Sequence, residues 1–420
     1  MKRFGVWNRV LVVGLFGGAC AGAAESERST PYDRVTSELA AVVDELPTET
    51  PVTQAVAESG PLCDAMCTAR TWIDEERYDE AREALARRLV EAPKDVEAVL
   101  LLNATDLRDE EYARAYERAN AWVTETEDVR VLEQRARASL GADDPETAAE
   151  DFRDLISALG DLPKEQSICN ALSGCCHSAA GAQAHAWVGL ATAEYNRQDL
   201  DRAEEIASRV LSEGPVAEAL DPAYGKFVKA LIASRRGDDL TAESMYRDIL
   251  ARHPNEPGSL INLGGVHFRR GDLQASRRFQ EAAFAVAGVD RRTAAIAWAN
   301  VAEIDMLAGD FRAAEEKLLE TLSISKSFAA GHFGLGVLYD LMGRTEESAE
   351  HMREALRLDT NGVTRWNTSW LTPEWEQHFR ALEALAEGRL EDAEVALRGL
   401  TRSSVPMLRD AALRHVAPRS

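Results

Sequence analysis

The chain has 420 residues, of which 45% are hydrophobic and 28% charged, and a formal net charge of −23. That apolar content excludes a mainly disordered polypeptide. The acidity argues against nucleic acid, which needs a basic face, and against a polybasic contact with a membrane surface.

The first residues read as an address. Met1-Lys2-Arg3 and Arg9 are basic, and Val10-Leu11-Val12-Val13-Gly14-Leu15-Phe16 is apolar but too short to span a bilayer. This predicts a signal peptide over 1–23 with two competing processing routes. Ala21-Gly22-Ala23 is a small-x-small cleavage site, whereas Gly17-Gly18-Ala19-Cys20 resembles a lipobox that would leave Cys20 lipidated. Residues 24–61 follow as an acidic linker punctuated by Pro31, Pro47, Pro51 and Pro61.

From there a repeat takes over. Gly-Asp recurs at Gly237-Asp238, Gly271-Asp272 and Gly309-Asp310, and Gly343-Arg344 and Gly388-Arg389 continue it, at spacings of 34, 38, 34 and 45. A small residue stands five positions after each glycine (Ala242, Ser276, Ala314, Ser348, Ala393) and traces upstream to Ala203, Ala148, Ala115 and Ala81. Around this marker, apolar residues fall at helical spacing, as in Trp187, Leu190 and Ala191 or Trp298, Val301 and Ala302. Pro93, Pro215 and Pro254 end units. Each unit is therefore expected to be a hairpin of two amphipathic helices that buries its apolar face only by stacking on its neighbours.

Trp187-x2-Leu190-Ala191 with Leu200, Ala203, Val210 and Pro215, and His332-x2-Leu335-Gly336-x2-Tyr339 with Ser348 and Ala355, resemble the tetratricopeptide repeat (TPR) family over about 62–403, some nine units. A generic alanine-rich helical solenoid is the competing reading. The resemblance implies an all-α, right-handed superhelical solenoid. The expected divisions are degenerate repeats over 62–162, a cysteine-containing insertion over 163–183, repeats over 184–359, a tryptophan-containing insertion over 360–373, and a terminal repeat with a capping helix over 374–420.

The cysteines are Cys20, Cys63, Cys67, Cys169, Cys175 and Cys176. In an exported chain the last five are disulfide candidates. Cys63 and Cys67 are i, i+4, too far apart to bridge in a regular helix, and Cys169 can close a short loop to Cys175 or Cys176. Cys175-Cys176-His177 has the residue types of a metal or redox site but no zinc or haem spacing, so disulfides are preferred. His332, His185 and His267 sit at repeat positions and read as packing residues. Gly331-x-x-Gly334-x-Gly336 lies inside a predicted helix, without the strand that a phosphate loop needs. Neither a metal nor another cofactor is expected. Trp366, Trp370 and Trp375 read as local packing rather than a contact site.

The family resemblance also implies a concave groove lined by the first helix of each unit. Its inward positions map onto Tyr195, Tyr224, Phe227, Arg235, Phe268, Arg269, Asn262, Asn300 and Phe333, with His185, Gly265, Glu303 and Met306 beside them. Asn262 and Asn300 share one repeat position, where several family members use Asn to grip a ligand backbone. Arg235 and Arg269 recur in register and suit a carboxylate. The expected function is a non-catalytic exported scaffold in a bacterial cell envelope, holding a protein or peptide, with no nucleic acid or small-molecule substrate. It would be periplasmic, or anchored to the outer membrane through Cys20. The alternative is a redox or metal-dependent accessory protein centred on Cys169, Cys175, Cys176 and His177.

Overall fold

The structure is a computed structural model, and it describes residues 65–172, 176–212, 220–286, 289, 291–359 and 373–416. These form two compact units, 65–111 with 169–172, and 112–168 with 176–416. Cys20, Cys63, Cys175, Trp366, Trp370 and the leader and linker expectations lie outside the described residues.

The first unit holds α1 (Ala65–Asp74), α2 (Tyr78–Glu91) and α3 (Val96–Arg108), each packed on the next. Ile73, Ala81, Leu85, Ala98 and Leu101 fill its core. Arg82 ties α2 to α3, with Nε donating to Asp106 at 2.7 Å and further pairs to Asp79 and Asp109. Arg70 Nε donates to the carbonyl of Ala171 at 3.1 Å.

The second unit opens with α4 (Tyr112–Val123), α5 (Val129–Gly141) and α6 (Pro145–Gly160). It continues with α7 (Ala179–Asn196), α8 (Leu200–Ser212), α9 (Pro222–Arg235), α10 (Asp239–Leu250), α11 (Pro257–Arg269) and α12 (Leu273–Phe284). Then come α13 (Arg291–Ala308), α14 (Phe311–Ile324), α15 (Ala329–Leu341), α16 (Thr345–Leu358), α17 (Pro373–Ala386), α18 (Leu390–Leu400) and α19 (Pro406–Val416). Sequence neighbours pack on one another throughout, and the odd-numbered helices α7 to α17 also touch their counterparts one hairpin away. This is the stacked-hairpin solenoid. One departure from an all-α chain is a pair of three-residue strands in the insertion, β1 (Ser167–Cys169) and β2 (Cys176–Ser178).

The repeat marker has a conformational cause. Gly237, Gly271, Gly309, Gly343 and Gly388 all have φ between 77° and 81°, the left-handed region that ends a helix. The Gly237 and Asp238 amides then donate to the Ser234 and Ala233 carbonyls. The following Asp caps the next helix, Asp238 on Thr241 N, Asp272 on Ala275 N and Asp310 on Ala313 N. In the upstream units the same place is held by Glu76, Glu110, Asp143 and Gln198, with φ between 56° and 67°. Their hydrogen bonds repeat the pattern: Gln198 and Asp199 donate to the Tyr195 and Glu194 carbonyls.

The small residue five positions on is where two helices meet. Ala81, Ala115, Ala148, Ala203, Ala242, Ala314 and Ala393 have no exposed surface. Ser348 Oγ donates to the Gly336 carbonyl at 2.6 Å, and a Cβ on Gly336 would stand 2.6 Å from Met352 Sδ. Gly336 is therefore a packing glycine within α15, as its sequence context indicates.

The last helix turns inward. α19 packs on α18 and also on α15 and α17, the first helices of the last two hairpins. Arg414 donates to the carbonyls of Asp340 and Leu341, and His415 Nε2 lies 2.5 Å from Asp340 Oδ1. Trp375 is buried against Phe379.

Candidate functional site

The first helices of the second unit build its inner face. Long-range contacts close part of that face. Arg292, near the start of α13, donates to the Gly141 carbonyl at 3.2 Å, pairs with Asp143 at 3.5 Å and stands 5.7 Å over the Tyr112 ring. Gly141 and Asp143 precede it by 151 and 149 residues and Tyr112 lies earlier still, so no sequence spacing announces the contact. The inner positions on α7 and α9 are closed as well. Val188, Thr192, Tyr195, Phe227 and Leu231 are all buried.

The residues expected to line a groove separate into three groups. Tyr195 and Phe227 are core residues, Phe227 lying edge-on to Tyr246. Arg235 donates to the Tyr195 hydroxyl at 3.2 Å and lies 4.8 Å over its ring. Arg269 is committed to Asp239 and to Ser234 Oγ, the latter at 2.6 Å. These two arginines tie successive hairpins together rather than standing free.

The two asparagines form the second group. Asn262 is buried, its Nδ2 donating to the Gly258 carbonyl at 2.8 Å. Asn300 Nδ2 donates to Gln280 Oε1 at 3.1 Å, and Gln280 Nε2 donates to the Ile261 carbonyl at 3.0 Å. A relay thus joins α11, α12 and α13. The carbonyl oxygens Oδ1 of both asparagines are buried without a hydrogen-bond donor, which is uncommon for buried polar atoms.

The third group stays partly open: Tyr224, Gly265, Phe268, Glu303 and Phe333 are half-buried. Tyr224 meets His185 edge-on at 5.1 Å, and His185 meets His177 at 4.8 Å. His185 Nδ1 donates to the Gly181 carbonyl at 2.9 Å. Burial pulls the His185 imidazole down to about 4, with His177 and Arg137 adding to the effect. Phe333 packs on Phe379 at 5.1 Å.

Glu303 differs from Glu194 and Asp305, two other acids on first helices of this unit. Among the described residues no hydrogen bond or ion pair reaches its carboxyl, and burial alone pushes it well above the usual carboxylate range. On other first helices of the same unit, Glu194 pairs with Arg153 and Arg197, and on α13 itself Asp305 pairs with Arg277 and Lys317. Gly265 holds the same repeat position one hairpin earlier. A Cβ there would meet only Arg269 Nη1, at 3.8 Å, so the space beside it is open.

Two histidine clusters went unread as sites. Asp340 lies between His378, at 2.7 Å, and His415. Burial alone would raise its carboxyl, but the hydrogen bonds from both histidines hold it well below the usual range. His332 and His351 meet through their Nδ1 atoms at 3.0 Å. Of the cysteines, Cys67, Cys169 and Cys176 are disulfide-bonded, and among the described residues none is free. Among those residues, too, no helix is long and apolar enough to cross a membrane.

Residues 227–288 and 302–363 match the family model described as tetratricopeptide repeat. No curated protein matches the chain in sequence. Among solved structures, a chain of the APC/C hetero-tetramer Cut9–Hcn1 is 18% identical over 73% of this chain, with a TM-score of 0.44, and the match spans about half of that protein, 55%. Pseudomonas aeruginosa pilF is 11% identical over 54% of this chain and 95% of its own, with a TM-score of 0.39. Human IFIT1, solved with PPP-AAAA, is 13% identical over 79% of this chain and 82% of its own, with a TM-score of 0.46. Likeness at this level does not extend to ligands or partners.

Proposed function

The chain belongs to the tetratricopeptide repeat family, and from that premise we propose that it is a non-catalytic exported scaffold whose inner face at α11 and α13 holds a protein or peptide partner. One observation carries the reading. Glu303 is a half-buried carboxyl with no partner among the described residues, in register with the open space at Gly265. An unpaired carboxyl so enclosed destabilises the fold, and a partner's guanidinium, ammonium or backbone amide arriving there would relieve it. Phe268 supplies apolar contact. A stacked array presents such a strip pre-formed, so little ordering entropy is lost on binding.

The cell-envelope setting is part of the proposal. It is supported by the basic and apolar start of the sequence, with Cys20 in a lipobox-like context, and by the disulfide-bonded cysteines, which suit an oxidising compartment. The mass of the mature N-terminus tests it: acylated Cys20 or cleavage after Ala23 supports export, and an intact leader on mature protein contradicts it.

Capture from envelope extracts tests the binding surface. Glu303→Gln and Phe268→Ala are compared with the parent chain at equal melting temperature. The proposal expects a polypeptide held by the parent to be lost by at least about tenfold from both variants, equivalent to about 1.4 kcal/mol. Equal capture by all three chains removes this face as the binding surface.

A further inference from the structure

We propose that His332 and His351 form a two-imidazole site for a divalent transition metal of the copper, nickel or zinc class, clipping α15 to α16.

The tautomer comes first. His332 Nε2 lies 3.2 Å from the Lys326 carbonyl, which can only accept, so Nε2 carries the proton. Its Nδ1 therefore bears the lone pair and lies 3.0 Å from His351 Nδ1, which donates to it in the metal-free chain and must release that proton to solvent, or shift it to Nε2, when an ion binds. A ring N–H given to a backbone carbonyl, with the opposite nitrogen left as donor to a metal, is the arrangement that orients ligating histidines.

The spacing comes next. Two nitrogens bound to one ion at about 2.0–2.1 Å, at angles between square and tetrahedral, stand roughly 2.9–3.4 Å apart. The 3.0 Å between the two Nδ1 atoms falls within that bite. The rings are tilted by 33° with centroids 5.1 Å apart, so neither ring stacks over the other's nitrogen.

The surroundings admit an ion. Both histidines are half-buried, and Glu350 beside them is exposed. Burial and His332 hold the His351 imidazole below its ordinary value, so it stays neutral and free to ligate, while Glu350 and Glu347 partly offset this and Arg344 adds to it. The two rings come from different helices of one hairpin, so a bound ion would cross-link α15 to α16. Among the described residues no group of three metal-ligating side chains converges. Solvent completes the shell, and selectivity follows from imidazole affinity alone, with copper held most tightly.

The test titrates the purified full chain with Cu2+, Ni2+ and Zn2+ salts by calorimetry, with electron paramagnetic resonance on the Cu2+ form. The expected result is one site per chain that shows coupling to two nitrogens and raises the melting temperature as metal is added. His332→Gln and His351→Gln keep size and polarity while removing a ligand. Each is expected to weaken that site at least about tenfold, whereas His177→Gln, a change at another histidine pair, leaves it unchanged. A parent chain without the two-nitrogen signal, or variants that bind as the parent does, would overturn the assignment and leave a plain imidazole–imidazole hydrogen bond.

Discussion

The early hairpins and the later ones make the same turn with different residues. From Gly237 onward a glycine takes the left-handed position, and Gly271 and Gly309 have nothing within 4 Å of where a Cβ would stand. Before it, Glu76, Glu110, Asp143 and Gln198 adopt that conformation with a side chain attached. For an L-residue the left-handed region costs roughly 1–2 kcal/mol. The early turns therefore carry a strain that the later ones lack, and they rely more on what packs around them. In the first unit that support includes Arg82, held by Asp106, whose side chain has no exposed surface. The repeat is thus defined by backbone shape and by the buried small residue, and glycine is only the easiest way to satisfy the first.

Removing the support should break the comparison most forcefully. Asp106→Ala leaves Arg82 only its outer partners Asp79 and Asp109, and should lower stability by about 2–4 kcal/mol in urea melts. An equal loss from Asp79→Ala, an exposed partner, would show that burial is not what matters. Acid comes second. His185 is held near 4 in the folded chain against an ordinary 6.5. The unfolded chain binds the extra proton first, so the stability in question is whole above 6.5 and is lost as pH falls toward 4. The expected loss is roughly 2–3 kcal/mol, and His185→Phe should flatten that part of the pH profile. An unchanged slope in the variant would place the acid sensitivity elsewhere.

The turns themselves give smaller effects of opposite sign. Gly271→Ala meets no steric neighbour, so its loss of about 1 kcal/mol would report backbone strain alone. Conversely, Gln198→Gly should gain about 0.5–1 kcal/mol by relieving the same strain. If both substitutions move stability in one direction, the two sets of turns are not equivalent.

The sequence made this fold legible because its signals are local. A left-handed turn, an Asp that caps and a small residue five positions on recur within one hairpin, and each has a single physical job. Even the units without glycine kept the alanine, as Ala81, Ala115 and Ala148 show. The inner face was harder to read. Repeat position identifies Phe227 and Tyr195 as inward, but it does not say that α7 and α9 are closed there. Nor does it say that Arg269 is already held by Asp239, or that Arg292 reaches back to Gly141. Those contacts depend on how the hairpins curve, which sums small rotations that no single unit encodes. The His332 and His351 pair hid for a related reason. The two lie 19 residues apart on different helices, and each alone resembles a packing histidine.

Site-specific photocrosslinking tests the central claim most directly. A photoreactive phenylalanine analogue in place of Phe268 lies on the inner face, and one in place of Leu319 lies on exposed surface of α14. The account predicts that, in envelope extracts, position 268 yields a discrete crosslinked polypeptide that Glu303→Gln diminishes, while position 319 yields none. A crosslink from position 319 alone, or one from 268 that is indifferent to Glu303, would contradict it.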